Sequence, residues 1–296
     1  FAKNYLADRN PSVRLAAATA LHFLDPEATD GLAILKQEIN NNESGIRSEA
    51  YGIIALYGED AAPLLPELQK KFDGFKKVEN LDISDRLLDF DQIEEIFEMI
   101  QVAETISYVG LPGYTTPESL VRLLNDKRIR MVLYAILSLS HADILGDRTV
   151  RSVADSLKDS NPLVQAFAAS LLRVLTYPSG LEWRITEQII DCVYDAPPFV
   201  QPLCLQAVQV NNFAVKEKME VLIDMIGTGR GDVYGVALGK IFSMLYFSES
   251  ARKWLIEQAS QLDEGTLKAL FYLSLILDSP EYVNLIYTLE HEYQEQ

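Results

Sequence analysis

The sequence predicts an all-α protein, a right-handed α–α superhelix of about eight helical hairpins, and three observations carry that prediction. The pair Val13-Arg14 returns as Ile46-Arg47, Ile129-Arg130, Val164-Gln165, Val200-Gln201, Val233-Tyr234 and Leu267-Lys268, with most copies 33 to 36 residues apart. A fixed period of that length marks a repeat architecture, in which each unit hides its apolar face against its neighbours. In the cleanest copies, apolar residues fall at positions 0, +3, +4, +7, +8 and +11, the spacing of one helical face. Alternating runs of period two, which would mark half-buried strands, support no segment of the chain.

The elements follow in order. Asn10-Pro11 opens the first repeated helix, and Val13, Ala16, Ala17, Ala20, Leu21 and Leu24 fill its expected apolar face. Val164, Phe167, Ala168, Leu171, Leu172 and Leu175 repeat the pattern in full. The copy from Val200 breaks at Asn211, and the copy from Leu267 carries Ser274 and Asp278 on the face. A second helix set lies between these, over residues 29–40, 61–72, 116–125, 147–158, 181–194, 215–226, 248–262 and 279–291. Thr116-Pro117-Glu118 and Ser279-Pro280-Glu281 each supply a hydroxyl cap, a proline at the first helical position and an acid at the positive end of the dipole. Asp25-Pro26, Gly58-Glu59-Asp60 and Gly227-Thr228-Gly229 mark turns.

One interval is irregular. Ile46 and Ile129 are 83 residues apart, and a helix over 91–108, anchored near Ile96, supplies the missing member. Residues 73–90 are then an insertion into a single array spanning 1–296, with Glu79, Asp82, Asp85 and Asp89 among apolar Leu81, Ile83, Leu87 and Leu88. It reads first as a longer, acidic, partly helical loop and second as a docking loop.

Composition narrows the function. The net charge is −17 and the pI about 4.6, a field that repels a phosphate backbone, so nucleic acid is not the expected partner. No apolar run reaches the length of a membrane span, and no signal-peptide pattern opens the chain. The sequence begins with Phe1 rather than Met, so further domains before it are expected, and the compartment stays open between cytoplasmic and secreted. Two cysteines, Cys192 and Cys204, do not make a disulfide framework or a zinc site. Cys204, at a core position, reads as a small buried hydrophobe.

The motif Asp8, Asn10-Pro11, Val13-Arg14, Ala16-Ala17 and Ala20-Leu21 resembles the second helix of a HEAT repeat. The resemblance implies a ladder between the Asp8 and Arg14 side chains. Arg47 and Arg130 keep the base, with Asn41 and Leu124 at the acid position, while Asp159 and Asp195 keep the acid opposite Gln165 and Gln201. The short period is similar to the compact HEAT-like repeats of phycobilisome lyases. The Val-Arg-x-x-Ala repeats and the Gly58-to-Pro63 turn also resemble helical segments that trail some secreted bacterial sulfatases, without the sulfatase catalytic motif.

No catalytic constellation, metal site or cofactor site is expected. His22, His141 and His291 are scattered, and the stretch from Gly227 to Gly231 lacks the lysine-hydroxyl ending and preceding strand of a phosphate loop. The expected function is a non-catalytic scaffold that binds a protein or peptide through the concave helix set; the alternatives are a C-terminal accessory region of a larger secreted, sulfatase-like hydrolase and a HEAT-like lyase subunit. Positions +2 and +6 of the repeated helices are small or apolar, among them Ser48, Met131, Thr19, Gly52, Ala135 and Gly239. Such residues suit either tight packing or the close approach of a partner. Tyr51, Tyr134 and Tyr272 recur at +5, and with His22 and Met131 they are the expected binding residues of that face.

Overall fold

The computed structural model describes residues 2–25, 28–76, 90–114, 116–141, 145–175, 182–211 and 213–258, with 262, 265 and 266 beyond them. Its first helix, α1 (Pro11–Leu24), begins as the sequence implies: Asn10 stays extended, and its side-chain oxygen accepts from the Ser12 amide at 3.0 Å. That bond satisfies one of the amides a helix start leaves unpaired, and Pro11 needs none. There follow α2 (Asp30–Glu38), α3 (Ser44–Tyr57), α4 (Leu65–Gly74), α5 (Phe90–Val109), α6 (Pro117–Leu123) and α7 (Ile129–Ser140). Next come α8 (Asp147–Asp155), α9 (Pro162–Val174), α10 (Glu182–Asp195), α11 (Gln201–Ala207), α12 (Val215–Gly227), α13 (Gly231–Phe247) and α14 (Glu249–Gln258). The described residues contain only helices and their connections, with no strand. A helix stands over Phe90–Val109, where the sequence places one at 91–108. The body of the acidic insertion, 77–89, and the helix expected over 279–291 lie outside the described residues.

The chain divides into two compact units, Phe1–Leu145 and Gly146–Gln296. In the first, α1, α3, α5 and α7 pack side by side in a row, with α2 against α1 and α3, α4 against α5, and α6 against α7. In the second, α9, α11 and α13 form the row, with α8 and α10 against it and α12 between α13 and α14.

The buried arc of the row helices is wider than one stripe and turned from the expected one. In α1 the buried residues are Leu15, Ala17, Ala18 and Leu21, whereas Ala16 is exposed and Leu24 keeps 77% of its surface. Position +5 is core in most copies: Ala18, Tyr51, Tyr134, Ala169 and Leu205 are all buried. A row helix meets a helix on each side as well as its partner below, so residues a single-face pattern places on the flank are covered too. In α7 the burial runs unbroken from Arg130 to Ile136, as expected for a helix enclosed on several sides.

The connections share a second device. Asp8, Asn41, Asp126 and Asp159 each accept, through a side-chain oxygen, from the amide two residues on, at 2.7 to 3.0 Å. These Asx turns set the chain direction into the next helix. Arg14 then donates to the Asp8 carbonyl, Arg47 to the Asn41 carbonyl and Gln165 to the Asp159 carbonyl. The expected acid–base ladder is therefore replaced. The acid closes its own turn, and the base reaches a main-chain oxygen, which glutamine reaches as well. The spare charge of Arg14 goes to Glu38, which is fully buried, and that of Arg47 goes to Glu98.

Two glycines are required, one by packing and one by its backbone conformation. A methyl group at Gly31 of α2 would collide with the Tyr57 hydroxyl, which donates to the Ala18 carbonyl at 2.8 Å. Gly58 closes α3 with φ +55, where a side chain is disfavoured. Cys192 of α10 and Cys204 of α11 are joined in a disulfide, with Cα atoms 5.9 Å apart and both residues buried. Cys204 is thus a core residue but not a free thiol. Helix pairing brings together two cysteines whose separation in sequence did not reveal the link.

Candidate functional site

The structure places the expected binding residues mostly inside. Tyr51 is 1% exposed, and its hydroxyl donates to Glu98 at 2.9 Å. Burial, reinforced by the Glu98 carboxylate, holds that phenol protonated far above its ordinary range. Tyr134 is 1% exposed; its hydroxyl accepts from the Leu111 amide at 3.1 Å and donates to the Tyr114 carbonyl at 3.2 Å. Met131 is buried as well. These three are corrected from groove anchors to core, because the row neighbours cover the flank on which they sit. His22 is half-buried, with its ring stacked on Tyr57 at 3.9 Å between centroids. Tyr272 lies outside the described residues.

What the row does expose is the seam between α3 and α5. Two clefts, of about 350 and 460 Å³, run along it and share Ser48 and Gln101, which are hydrogen-bonded to each other across the seam. The first is lined by Ser44, Gly45 and Ser48 of α3 and by Phe90, Ile93 and Phe97 of α5, over the Arg47–Glu98 pair. The second is lined by Gly52, Ala55 and Leu56 of α3 and by Glu104, Thr105 and Tyr108 of α5, with Tyr51 as its floor. From Phe90 to Tyr108 the seam is ~27 Å long at the helical rise.

The local sequence explains why the seam is open and sticky. Phe90, Ile93 and Phe97 fall at i, i+3 and i+7, one stripe of α5 facing away from its buried residues Ile96, Met99, Val102, Ala103 and Ile106. Phe90 is 78% exposed and Phe97 62%, and Leu56 (60%) and Tyr108 (43%) extend the apolar surface at the far end. Opposite them, a Cβ built on Gly45 or Gly52 meets nothing within 4 Å. Glycine inside a helix costs about 1 kcal/mol relative to alanine, and here no packing contact requires it. The tight-packing reading therefore fails at these positions.

Beneath the seam, Glu98 receives Arg47 through Nε and Nη2, at 3.0 and 2.9 Å, and also Tyr51, with Lys71 of α4 at 3.4 Å. Burial alone would raise the Glu98 carboxyl, but Arg47, Tyr51 and Lys71 outweigh it and hold the pKa below the ordinary value. The network fixes α3, α4 and α5 together. At the far end His141 stacks on Tyr108 at 4.1 Å, and its ring lies 3.4 Å from Ser107 Oγ. That hydroxyl donates to the Glu104 carbonyl at 2.6 Å. Burial lowers the His141 pKa, with Glu104 opposing. Among the described residues, no group of three or more His, Cys, Asp or Glu could hold a metal ion, and no helix is long and apolar enough to cross a membrane.

Sequence reasoning missed Phe90, Ile93, Phe97, Leu56 and Tyr108. The usable signal was the α5 stripe itself, where aromatic residues stand on the face opposite the buried one.

No protein-family model matches the chain, and no curated protein does. Solved structures similar to it include two engineered proteins from the Northeast Structural Genomics Consortium. Target OR497 is 16% identical, with 98% of this chain and 81% of that one covered at a TM-score of 0.44. Target OR329 is 13% identical, with 99% and 95% covered at a TM-score of 0.23.

Proposed function

We propose that this chain is a non-catalytic scaffold of HEAT-like helical repeats, a right-handed superhelix that holds a protein or peptide segment along the α3/α5 seam. The observation that carries this reading is the pairing, across one seam, of exposed Phe90, Ile93 and Phe97 with Gly45 and Gly52, whose missing side chains no internal contact explains. An apolar stripe facing small residues lets a backbone come close while aromatic anchors supply burial. The repeat period, the Asx turns and the row packing support the HEAT-like assignment. In that architecture the row helices form the concave wall, so the seam belongs to the face expected to bind. The binding residues move from the +5 tyrosines to the exposed α5 stripe and its glycine-bearing partner.

The test is a selection of displayed random peptides against the whole chain. Enriched peptides should lose about tenfold or more in affinity for Phe97→Asp and for Gly52→Glu, both solvent-facing changes. Peptides that bind both variants as they bind the parent would overturn the seam. A second reading, an accessory region of a larger secreted hydrolase such as a sulfatase, is favoured by the Cys192–Cys204 disulfide, since such bonds persist mainly in oxidising compartments. A catalytic domain encoded ahead of Phe1 would decide for it.

A further inference from the structure

In the second unit a separate cleft of about 320 Å³ opens between α10 and α12, and its chemistry differs from that of the α3/α5 seam. Aromatic surface forms one part of it. Trp183 is 52% exposed and Tyr194 45%, and Phe213 stands edge-on to Trp183 at 6.1 Å between centroids. Ile190, Ala214 and Val221 complete the apolar lining. Acids form the other part: Glu187 and Asp191 stand on the α10 wall, Glu217 and Glu220 on the α12 wall, and no lysine or arginine lines the cleft.

We infer that this cleft is a docking site for an arginine-bearing peptide segment. Carboxylates on both walls flanking indole and phenol rings match a planar cation that donates bidentate hydrogen bonds to carboxylates and stacks on aromatic faces. Neither Glu187 nor Glu217 forms an ion pair within 4 Å among the described residues; Glu217 feels the charge of its neighbour Lys218, whose Nζ is bonded to Asn211 at 2.6 Å, so both carboxylates can receive such a guest. Asp191 meets Lys158 at 3.2 Å and Glu220 meets Lys216 at 3.8 Å, but both pairs are exposed and compete weakly. Tyr194 donates to Asp224 at 2.9 Å, which fixes its ring at the end of the cleft. Trp183 and Tyr194 are three turns apart on α10, about 16 Å at the helical rise. That length suits roughly five extended residues rather than a small cation. The −17 net charge steers a basic segment towards the molecule, and the rings choose where on it the segment stays.

The experiment titrates a capped pentapeptide carrying two arginines into the whole chain by calorimetry at physiological ionic strength. Saturable binding is expected. It should weaken about tenfold in Trp183→Ala and in the double variant Glu187→Gln/Glu217→Gln, whose surface positions leave the fold intact by circular dichroism. The control Glu59→Gln/Asp60→Asn removes the same charge from exposed sites in the other unit and should change affinity less than about twofold. Equal weakening by both charge-removing doubles, or no saturable binding, overturns the proposal, because the attraction would then be diffuse.

Discussion

Replacing Glu98 with glutamine removes one charge from the point where α3, α4 and α5 meet while keeping the side chain's shape. The carboxylate accepts from Arg47 twice, from Tyr51 and, more distantly, from Lys71. Glutamine keeps one acceptor and turns an NH2 towards donors, so at least one buried donor loses its partner. A hydrogen bond to a charged group contributes about 1.5–3 kcal/mol net. The Glu98 side chain is 18% exposed and that of Arg47 16%, so water repairs part of the loss. About 2 kcal/mol is the expected cost at pH 7. With a urea dependence of about 2 kcal/mol per molar, that is a midpoint shift of about 1 M, read by far-UV circular dichroism. The folded pKa of Glu98 is depressed. Its contribution is therefore fully present above the unfolded value, near 4.5, and is lost as pH falls through the folded value. The gap between parent and Glu98→Gln must accordingly close in acid. An unchanged midpoint at pH 7, or a gap that persists unchanged below pH 4, would refute the network's role.

Three further outcomes are expected. Gly235→Ala and Gly239→Ala on α13, where a built Cβ meets nothing within 4 Å, should each stabilise the protein by about 0.5–1 kcal/mol in thermal melts, and destabilisation would reveal a hidden contact. Lys218 is 1% exposed, and burial lowers its pKa to about 8, so folding favours the neutral amine. Its penalty is present below about pH 8 and disappears as pH rises towards 10.5. Lys218→Met removes that penalty together with the 2.6 Å hydrogen bond from Lys218 Nζ to Asn211, so its stability relative to the parent should be highest at neutral pH and fall progressively across that window, followed by urea titration. Reduction of Cys192–Cys204, which spans 12 positions, should lower stability by about 3 kcal/mol, and a thiol assay on denatured protein should find no free cysteine beforehand.

Much of the helical layout was legible because its causes are local. Asn10-Pro11 and Asn161-Pro162 start helices through bonds that reach only two residues, and the 3.6-residue period needs no knowledge of neighbours. Which side of each helix is covered depends on what stands beside it. Tyr51 and Tyr134 look like flank residues until the next row helix arrives, so the expected anchors turned out to be core. Arg47 and Glu98 are 51 positions apart, and no spacing rule joins them. The candidate seam was half legible: Ser48 and Gly52 stood out as small residues on a face that should carry charge. Their partners Phe90, Ile93 and Phe97 formed a readable stripe, but its pairing with α3 depends on tertiary packing. The cystine was illegible for the same reason, since α10 and α11 bring its halves together.

The most direct measurement is hydrogen–deuterium exchange of the whole chain with and without a seam-selected peptide. Binding along the seam should bring new protection confined to α3 and α5, over 44–57 and 90–109, with α9 and α11 unchanged. Protection elsewhere, with none on α3 and α5, would contradict it.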